Sequence, residues 1–238
     1  MLGQNSDFLV VAWSKGKLSH PCQTILEEAG FSIPASGRSL LITDSARRVR
    51  FMELKAHDAV TLVGQGLVDL ALVGKDTLLE HHVSVMELMD LNIGACRLCL
   101  AGPAETWGPG EDWLEKIRGI TRSRRLGIAT RYPLTTEEFC VSWGIESVVI
   151  ELSGSVELAP SLGISDIISD LVSTGRTLRE NGLVEIKEVR PITARLIASQ
   201  GALHLKARQI ESFVKRLRDV ISEGGPIDED HTRPGFSI

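Results

Sequence analysis

The feature that most limits the possible folds is an alternation, repeated along the chain, of short apolar runs and helical patterns. Phe8 to Trp13 is a continuous apolar run with a β-branched centre, which is typical of a strand covered on both faces. A polar loop, Ser14 to Lys17, follows it, and a helical pattern then runs from Ser19 to Gly30. The same order recurs later in the chain, for example from Leu126. The sequence therefore predicts an α/β fold built on parallel, helix-covered sheets.

The stretch from Ile167 to Leu178 carries the clearest chemistry. Its apolar run contains one acid, Asp170, and ends in a polar loop made of Ser173, Thr174, Gly175, Arg176 and Thr177. A turn between a strand and a helix leaves backbone N–H groups pointing outward, where a phosphate can bind them. The hydroxyl groups add donors, the glycine permits close approach, and the arginine adds a fixed positive charge. We therefore predict that this loop binds a phosphorylated sugar, with Asp170 accepting hydrogen bonds from the sugar hydroxyls.

The loop after the first apolar run also has anion-binding chemistry, because Lys15 and Lys17 flank a glycine. The alternative interpretation is an ordinary strand–helix loop with solvated lysines. Ligands of parallel sheets bind at the C-terminal ends of strands. The loops predicted at such ends begin at Lys15, Gly74, Ser153 and Ser173. Extended crossings near Leu91 to Arg97 and after Gly182 divide the pattern into two halves, so we expect two lobes and a cleft for a pair of polyanionic ligands.

Charge and cysteine content argue against several classes of protein. A net charge of −5 and a pI near 5.7 are unusual for nucleic-acid-binding proteins, which carry a basic excess. No apolar run approaches the roughly 18 residues of a membrane span, and the N-terminus lacks the basic region of a signal peptide. Four cysteines in 238 residues do not form a disulfide framework. Cys96 and Cys99 would point to opposite faces of a strand, which predicts thiols rather than a metal or redox pair. We expect a cytoplasmic protein that binds neither nucleic acid nor membranes.

Local patterns give further structural expectations. Three helix starts are predicted from capping residues, at Ser19, at Asp76, and at Thr135 with Glu138. The helical region after Asp76 is expected to extend to Met89. The residues from Glu223 onward are acidic and rich in glycine and proline, so 223–238 is expected to be a disordered tail.

Taken together, the motifs resemble those of the ATP phosphoribosyltransferase family. The segment from Glu157 to Leu178, ELAPSLGISDIISDLVSTGRTL, is similar to the signature of that family. Further matching segments are, in order, Ser14 to Lys17, Gly74 to Asp76, Asp90 to Arg97, Ala129 to Pro133 and Asn181 to Val184. A Thr-Gly-Arg-Thr sequence alone would be weak evidence. Ordered motifs from about Val10 to Ser199 are strong evidence, because they cover most of the chain.

The resemblance implies two lobes like those of type II periplasmic binding proteins, with the active site in the interlobe cleft. It implies the first step of histidine biosynthesis, in which the 5-phosphoribosyl group of 5-phosphoribosyl-1-pyrophosphate is transferred to N1 of ATP. Pyrophosphate is released, and Mg²⁺ is required. On this basis, residues 1–92 with 187–222 are expected to form the lobe on the ATP side, and 93–186 the lobe that carries the phosphoribosyl pyrophosphate loop.

The resemblance also implies roles for individual residues. Those expected to bind phosphoribosyl pyrophosphate are Glu157, Asp170, Ser173, Thr174, Gly175, Arg176 and Thr177. Those expected on the ATP side are Lys15, Gly16, Lys17, Asp90 and Arg97. Lys15, Lys17 and Asp170 are expected to act in catalysis by positioning and charge neutralisation, without a covalent nucleophile. No metal ligand is assigned.

Two departures from the family pattern bear on function. Many members carry arginine where Lys17 stands, so a point charge is expected here in place of a bidentate phosphate contact. The region Lys55 to Asp58 also often carries arginine in relatives. Only one helix and a tail are predicted after Ser199, which resembles the short form of the family. Short forms work with a separate regulatory subunit related to histidyl-tRNA synthetase, and a homodimer core within a hetero-oligomer is therefore expected.

Two alternatives stay open at the level of sequence. The first is a non-catalytic, two-lobed binding or sensor domain, which predicts a secretion signal or a fused effector domain. The second is a phosphoribosyltransferase with another acceptor base. The phosphate loop alone does not exclude the second alternative, and only the wider set of motifs speaks against it.

Overall fold

Two β-sheets with their own helices account for the part of the chain that the computed structural model describes, residues 7–33, 41–108 and 112–223. The described residues divide into two units. The first joins the residues up to Ala95 to those from Thr193 onward, and the second is Cys96–Ile192. The predicted boundaries, after residues 92 and 186, fall earlier. Ile93 accepts a backbone hydrogen bond from Ala194 of the first unit, and Ile192 pairs with Cys96 in the second sheet. The predicted tail at 223–238 lies outside the described residues, except for Glu223.

In chain order, the strands are β1 (Leu9–Ser14), β2 (Leu41–Asp44), β3 (Val49–Leu54), β4 (Leu70–Gly74), β5 (Met86–Asp90), β6 (Cys96–Pro103), β7 (Leu126–Thr130), β8 (Ser147–Glu151), β9 (Ile167–Val172), β10 (Leu183–Ile192) and β11 (Ala194–Ala198). The α-helices are α1 (Ser19–Glu28), α2 (Ala56–Gly64), α3 (Lys75–Leu79), α4 (Trp113–Thr121), α5 (Pro133–Ser142), α6 (Arg176–Glu180), α7 (Gln200–Leu205) and α8 (Ala207–Glu223). Two short 3₁₀ helices are Gly16–Leu18 and Val156–Leu158.

The sheet of the first unit has the strand order β2-β3-β1-β4-β11-β5. β1 is parallel to β3 and β4, as predicted, but β2 and β11 run antiparallel to their neighbours, so the sheet is mixed. Ser14 pairs with Leu54, and Arg195 of β11 pairs with both Val73 and Asp90. One edge of the sheet therefore holds the C-terminal ends of β1, β3, β4 and β5. Lys15 lies at this edge, because it directly follows the last residue of β1.

The sheet of the second unit has the order β10-β6-β9-β7-β8. β7 is parallel to β8 and β9, whereas β6 is antiparallel to β9 and β10. Thr130 pairs with Glu151, and Val172 pairs with Arg97. The C-terminal ends of β7, β8 and β9 therefore share an edge with the beginning of β6.

The helix α8 covers one face of the first sheet, as its amphipathic pattern predicts. Its buried residues Ile210, Phe213 and Leu217 lie on the side that faces the core. The ring centroids of Phe213 and Phe31 are 4.8 Å apart, and both rings belong to the same apolar cluster. No helix of the described residues combines the length and apolarity that a membrane crossing requires.

Two kinds of local expectation are wrong. The helical region predicted to reach Met89 ends at Leu79, because Met86–Asp90 forms a strand that pairs antiparallel with β11. The capping predictions fail because each helix begins earlier than expected: α1 has Leu18 as its N-cap, α3 has Gly74 and α5 has Tyr132.

Candidate functional site

The loop that follows β9 has the backbone geometry predicted for a phosphate-binding turn. Ser173 and Thr174 are exposed, Gly175 is buried with φ +70°, and α6 begins directly after it. An added Cβ at Gly175 would lie 3.1 Å from Nη1 of Arg179 and 3.3 Å from Oε1 of Glu185. Glycine is therefore favoured here both by the left-handed backbone and by the close approach of two side chains.

The two arginines of α6 differ in their relation to this loop. Arg176, predicted to supply the fixed charge, donates from Nε to Oε1 of Glu180 at 2.7 Å, and its side chain is 79% exposed. Arg179 instead donates from Nη1 to the carbonyl oxygen of Thr174 at 3.1 Å. The guanidinium that contacts the loop backbone is thus that of Arg179, which the sequence interpretation missed. The sequence did offer a signal for Arg179, because it lies three residues after Arg176 and therefore one helical turn further along α6.

Arg97 lies beside the same loop, in the second unit. It pairs in register with Val172, and its Nη2 donates to both carboxylate oxygens of Glu185, at 3.0 and 2.9 Å. The hydrogen bond to Glu185 is the main reason that the pKa of Arg97 is raised, so the guanidinium stays charged. The prediction grouped Arg97 with Asp90 on the ATP side, whereas the structure places the two residues in different units. The ion pair with Glu185 joins distant parts of the chain and has no local sequence signal.

Cys99 adds a neutral donor to this group. Its Sγ donates to Oε2 of Glu185 across 3.6 Å. Burial, and then the charge of Glu185, raise the pKa of the thiol to about 11, so it stays protonated at neutral pH. Cys96 lies on the same strand at a position of opposite orientation, as predicted. No group of three or more His, Cys, Asp or Glu side chains suited to a metal ion occurs among the described residues.

Asp170 lies within β9, opposite Cys99 in the antiparallel pairing with β6. Its Oδ1 accepts a hydrogen bond of 2.8 Å from the N–H of Leu171. The preceding residue, Ser169, is fully buried and bound to two threonines. Its carbonyl oxygen accepts from Oγ1 of Thr130 at 2.7 Å, and its hydroxyl accepts from Oγ1 of Thr136 at 3.0 Å. This buried polar cluster joins the middle of β9 to β7 and α5, and sequence reasoning did not identify it.

Glu157 lies on the short 3₁₀ helix that follows β8. Ser155, just before this helix, has φ +51°, and Val156 anchors the turn in the core with 1% exposure. Because β8 and β9 are both parallel to β7, this turn and the loop at Ser173 follow strand ends on one edge of the sheet. Glu157, Asp170 and the loop residues 173–177 are thus all placed in the second unit.

The lysine loop of the first unit follows β1. The N–H of Lys15 donates to the carbonyl oxygen of Leu54 at 2.7 Å, which fixes the backbone, while the side chains of Lys15 and Lys17 are exposed. Gly16 has φ +86°, and an added Cβ there would meet no atom within 4 Å. Within the described parts of the chain, neither ammonium group has a carboxylate partner. Two cationic side chains are therefore available to an anionic ligand at this edge.

Asp90 lies at the same edge but three strands from β1, which is about 14 Å at the usual strand spacing. Its carboxylate accepts from the N–H of Asn92 at 2.9 Å and from Oγ1 of Thr193 at 3.0 Å, and it forms an ion pair with Arg195. Arg195 also approaches Glu87, at 3.5 Å. These partners link the end of β5 to the start of β11, so Asp90 holds the strand ends together in addition to any contact with a ligand.

Comparison with known proteins places this geometry in context. A sequence model of the ATP phosphoribosyltransferase family matches residues 55–219. The ATP phosphoribosyltransferase of Caldanaerobacter subterraneus subsp. tengcongensis is 38% identical over 221 residues, which cover 92% of this chain and 100% of the relative. A chain of the ATP phosphoribosyl transferase (HisG:HisZ) complex from Thermotoga maritima is 30% identical with a TM-score of 0.73, over 91% of this chain and 100% of that chain.

More distant solved structures share the architecture alone. The ligand binding core of GLUR0 in complex with L-glutamate has a TM-score of 0.54 at 11% identity, over 92% of this chain and 97% of that chain. Identity this low carries no information on function. The predicted α/β fold of two lobes, like that of type II periplasmic binding proteins, is confirmed.

Proposed function

The chain belongs to the ATP phosphoribosyltransferase family, and we propose how its residues divide the work of that family's reaction. The reaction transfers the 5-phosphoribosyl group of phosphoribosyl pyrophosphate to N1 of ATP. It yields phosphoribosyl-ATP and pyrophosphate, and it is the first step of histidine biosynthesis. The observation that carries the residue assignment is the exposed Ser173–Thr177 loop at the end of β9, with buried Gly175 at its turn.

The loop after β9 is proposed to hold the 5-phosphate of phosphoribosyl pyrophosphate. The exposed hydroxyls of Ser173, Thr174 and Thr177 are available as donors. Arg179, which touches the loop at Thr174, supplies the nearby positive charge, a role that the sequence had suggested for Arg176. Asp170 is proposed to accept hydrogen bonds from the ribose hydroxyls, with Glu157 as a second acceptor.

The cationic loop after β1 is proposed to bind pyrophosphate or the phosphates of ATP. Lys15 and Lys17 are exposed and have no carboxylate partner among the described residues, which favours an anionic ligand. Gly16 allows the backbone to turn between them with φ +86°. Asp90 is proposed to act on the ATP side while Arg195 and Thr193 hold its carboxylate. Arg97 is proposed to act from the second unit, where Glu185 orients it.

The chemistry requires positioning and charge neutralisation. As the bond from the sugar carbon to pyrophosphate breaks, the carbon develops oxocarbenium character and the leaving group gains negative charge. Lysine side chains neutralise that charge, and the loop after β9 holds the sugar in place for attack by the adenine nitrogen.

Phosphoribosyltransferases generally use Mg²⁺, and we propose that this chain does so too. Mg²⁺ is commonly bound by substrate phosphates with one or two carboxylates, and Asp170, on the strand that leads into the loop, is the carboxylate that we propose for this role. When bound, Mg²⁺ neutralises part of the pyrophosphate charge.

A regulatory partner is also proposed. The similar chain from Thermotoga maritima was solved in a HisG:HisZ complex, and the match extends over 100% of that chain. A separate subunit related to histidyl-tRNA synthetase, assembled with a homodimer of this chain in a hetero-oligomer, is therefore the partner that we propose.

The decisive test of the reaction is product detection. The protein is incubated with ATP, phosphoribosyl pyrophosphate and Mg²⁺, with and without the synthetase-like subunit, and phosphoribosyl-ATP is sought by mass spectrometry. Product is expected in at least the complete mixture, and its absence under both conditions would contradict the proposal. Product formed from another nucleobase but not from ATP would instead indicate a phosphoribosyltransferase with a different acceptor.

The placement of the sugar site is tested by Asp170→Asn and Thr177→Ala. Each variant removes one proposed ligand contact, and we expect about tenfold weaker binding of phosphoribosyl pyrophosphate for each lost charge-assisted or hydroxyl contact. Isothermal titration calorimetry measures the affinity, and circular dichroism checks that the fold is kept. Asp219→Asn, an exposed charge change on α8, is the matched control. Normal binding by both variants would show that the site is placed wrongly.

A further inference from the structure

A second cationic site lies in the first unit. It is a cavity of about 310 Å³ beneath the beginnings of β1 and β3. Its floor includes Leu9, Phe31 and Phe213, each no more than 5% exposed, and its rim carries the guanidinium groups of Arg47 and Arg216. Arg208, which lies about two helical turns before Arg216 on α8, completes the rim. The cavity therefore combines an apolar floor with three positive charges.

This cavity is separate from the lysine loop of the same unit. Leu9 begins β1, and Lys15 follows its last residue. Six residues of extended strand span about 20 Å. The cavity and the lysine loop thus lie at opposite edges of one sheet, and one small ligand does not reach both.

Two of the three arginines, Arg47 and Arg216, converge, and a single acid is paired with them. An added Cβ at Gly30 would lie 3.6 Å from Nη2 of Arg47 and 3.8 Å from Nη1 of Arg216, so both groups approach the same point. Asp44 pairs with Arg47 at 3.1 Å. Burial raises the pKa of Asp44, but hydrogen bonds from the N–H groups of Ser32 and Arg47 outweigh it, so this carboxyl group has a lowered pKa and is ionised.

The remaining charges are not compensated by the described residues. Within residues 7–33, 41–108 and 112–223, neither Arg208 nor Arg216 has an ion-pair partner. Because the negative charge of Asp44 compensates the positive charge of Arg47, the net charge of the rim is that of two arginines. A phosphate monoester carries about −1.5 to −2 at pH 7, whereas a carboxylate carries only one negative charge. The charge of the rim therefore matches phosphate better than carboxylate.

We propose that this cavity binds a small phosphate monoester, with the phosphate held by Arg208 and Arg216 and the organic part against Phe31 and Phe213. Guanidinium forks bind phosphate oxygens in a bidentate manner. The volume lies at the lower end of the range for small-molecule pockets, roughly 300–1,000 Å³, which limits the organic part to a compact group. The proposal is independent of the reaction assigned to the strand-end loops.

The test uses phenyl phosphate, which joins a phosphate monoester to an apolar ring. The full chain is titrated by isothermal titration calorimetry at low ionic strength with phenyl phosphate, inorganic phosphate and benzoate. Phenyl phosphate is expected to bind at least about tenfold more tightly than either of the others, because each of them lacks one of the two recognised features. Inorganic phosphate binding as tightly as phenyl phosphate would overturn the role of the aromatic floor.

Matched variants locate the site. Arg208→Gln and Arg216→Gln are expected to weaken phenyl phosphate binding about tenfold or more, as for loss of one charge-assisted contact. Arg218→Gln removes the same charge from an exposed position of α8 that does not line the cavity, and its affinity is expected to stay within about twofold of the wild type. Equal weakening in all three variants would show only general charge attraction and would overturn the proposal.

A loop variant separates this cavity from the proposed substrate site. Arg179→Gln removes the positive charge that contacts the loop after β9, and its phenyl phosphate affinity is expected to stay within about twofold of the wild type. Weakening as large as that of Arg216→Gln would overturn the assignment. If the proposed reaction is wrong and phosphoribosyl pyrophosphate does not bind, the comparison of Arg216→Gln with Arg218→Gln still decides the matter.

Discussion

Replacing Gly175 by alanine is expected to damage the loop after β9 in two separable ways. The backbone has φ +70°, and a non-glycine residue in the left-handed region costs about 1–2 kcal/mol. The new Cβ would also lie 3.1 Å from Nη1 of Arg179 and 3.3 Å from Oε1 of Glu185, so both side chains must shift. Moving Arg179 threatens its hydrogen bond to Thr174, which is worth about 1 kcal/mol net. The total expected loss is about 2–3 kcal/mol.

Gly182 provides the matched control for the backbone term. It has φ +68°, but an added Cβ there would meet nothing within 4 Å. Gly182→Ala should therefore cost only the backbone term of about 1–2 kcal/mol. Urea unfolding followed by tryptophan fluorescence suits the comparison, because Trp107, Trp113 and Trp143 all belong to the second unit.

Ligand affinity distinguishes the two glycines more sharply than stability does. Gly175→Ala is expected to weaken phosphoribosyl pyrophosphate binding about tenfold, the equivalent of about 1.4 kcal/mol, because Arg179 is moved away from the loop. Gly182→Ala should bind within about twofold of the wild type. Equal stability losses and equal affinities in the two variants would refute the argument that close contacts at Gly175 shape the binding loop.

The remaining predictions concern charged and thiol groups of the second unit. Arg179→Gln should weaken phosphoribosyl pyrophosphate binding more than Arg176→Gln, because only Arg179 contacts the loop backbone; calorimetric titration showing the reverse order would contradict this. A hydrogen bond from Arg124 lowers the pKa of Asp166 in the folded state, so Asp166→Asn should destabilise the protein at pH 7. That deficit should shrink as the pH falls below about 4, because the unfolded chain then binds a proton at Asp166 before the folded state does, and urea unfolding at pH 7 and at about pH 3 measures it. Cys99, with a pKa of about 11, should resist iodoacetamide at pH 8, and peptide mapping that finds it alkylated rapidly would count against its buried, protonated state.

Most strands of the fold follow from local sequence, and the one clear failure has a physical explanation. β1 is apolar up to its last residue, and β9 is an apolar run interrupted only by Ser169 and Asp170, so both favour a strand. Met86–Asp90 is composed of residues with high or moderate helix propensity, such as methionine, leucine and glutamate. Its pairing with β11, more than a hundred residues away, overrides that propensity. Local pattern therefore identifies an element only where tertiary pairing does not oppose it.

The candidate site likewise contains residues that could be located from the sequence and contacts that could not. The loop at Ser173–Thr177 and the glycine at its turn could be located from motif and turn chemistry, since both depend on adjacent residues. The ion-pair partner of Arg97 could not be located from the sequence, because Glu185 reaches Arg97 only through the pairing of β6 with β10. The buried contact between Thr136 and Ser169 likewise joins α5 to β9 across 33 residues of sequence. Sequence reasoning proposes which groups bind the ligand, whereas the structure is needed to show what holds those groups in place.

The similarity to binding proteins shows where the enzyme's distinguishing features must lie. The GLUR0 core shares the architecture of this chain at 11% identity, so the two sheets do not separate a binding protein from a transferase. What membership of the family adds is the transfer reaction, for which we propose that the strand-end loops supply the chemistry. A binding protein needs only ground-state contacts, whereas a transferase must favour the transition state as charge develops on the leaving group. Exposed Lys15 and Lys17, which lack carboxylate partners among the described residues, are suited to that developing charge. An ion pair such as that of Arg97 with Glu185 is instead suited to fixed positioning, because its charge is already compensated.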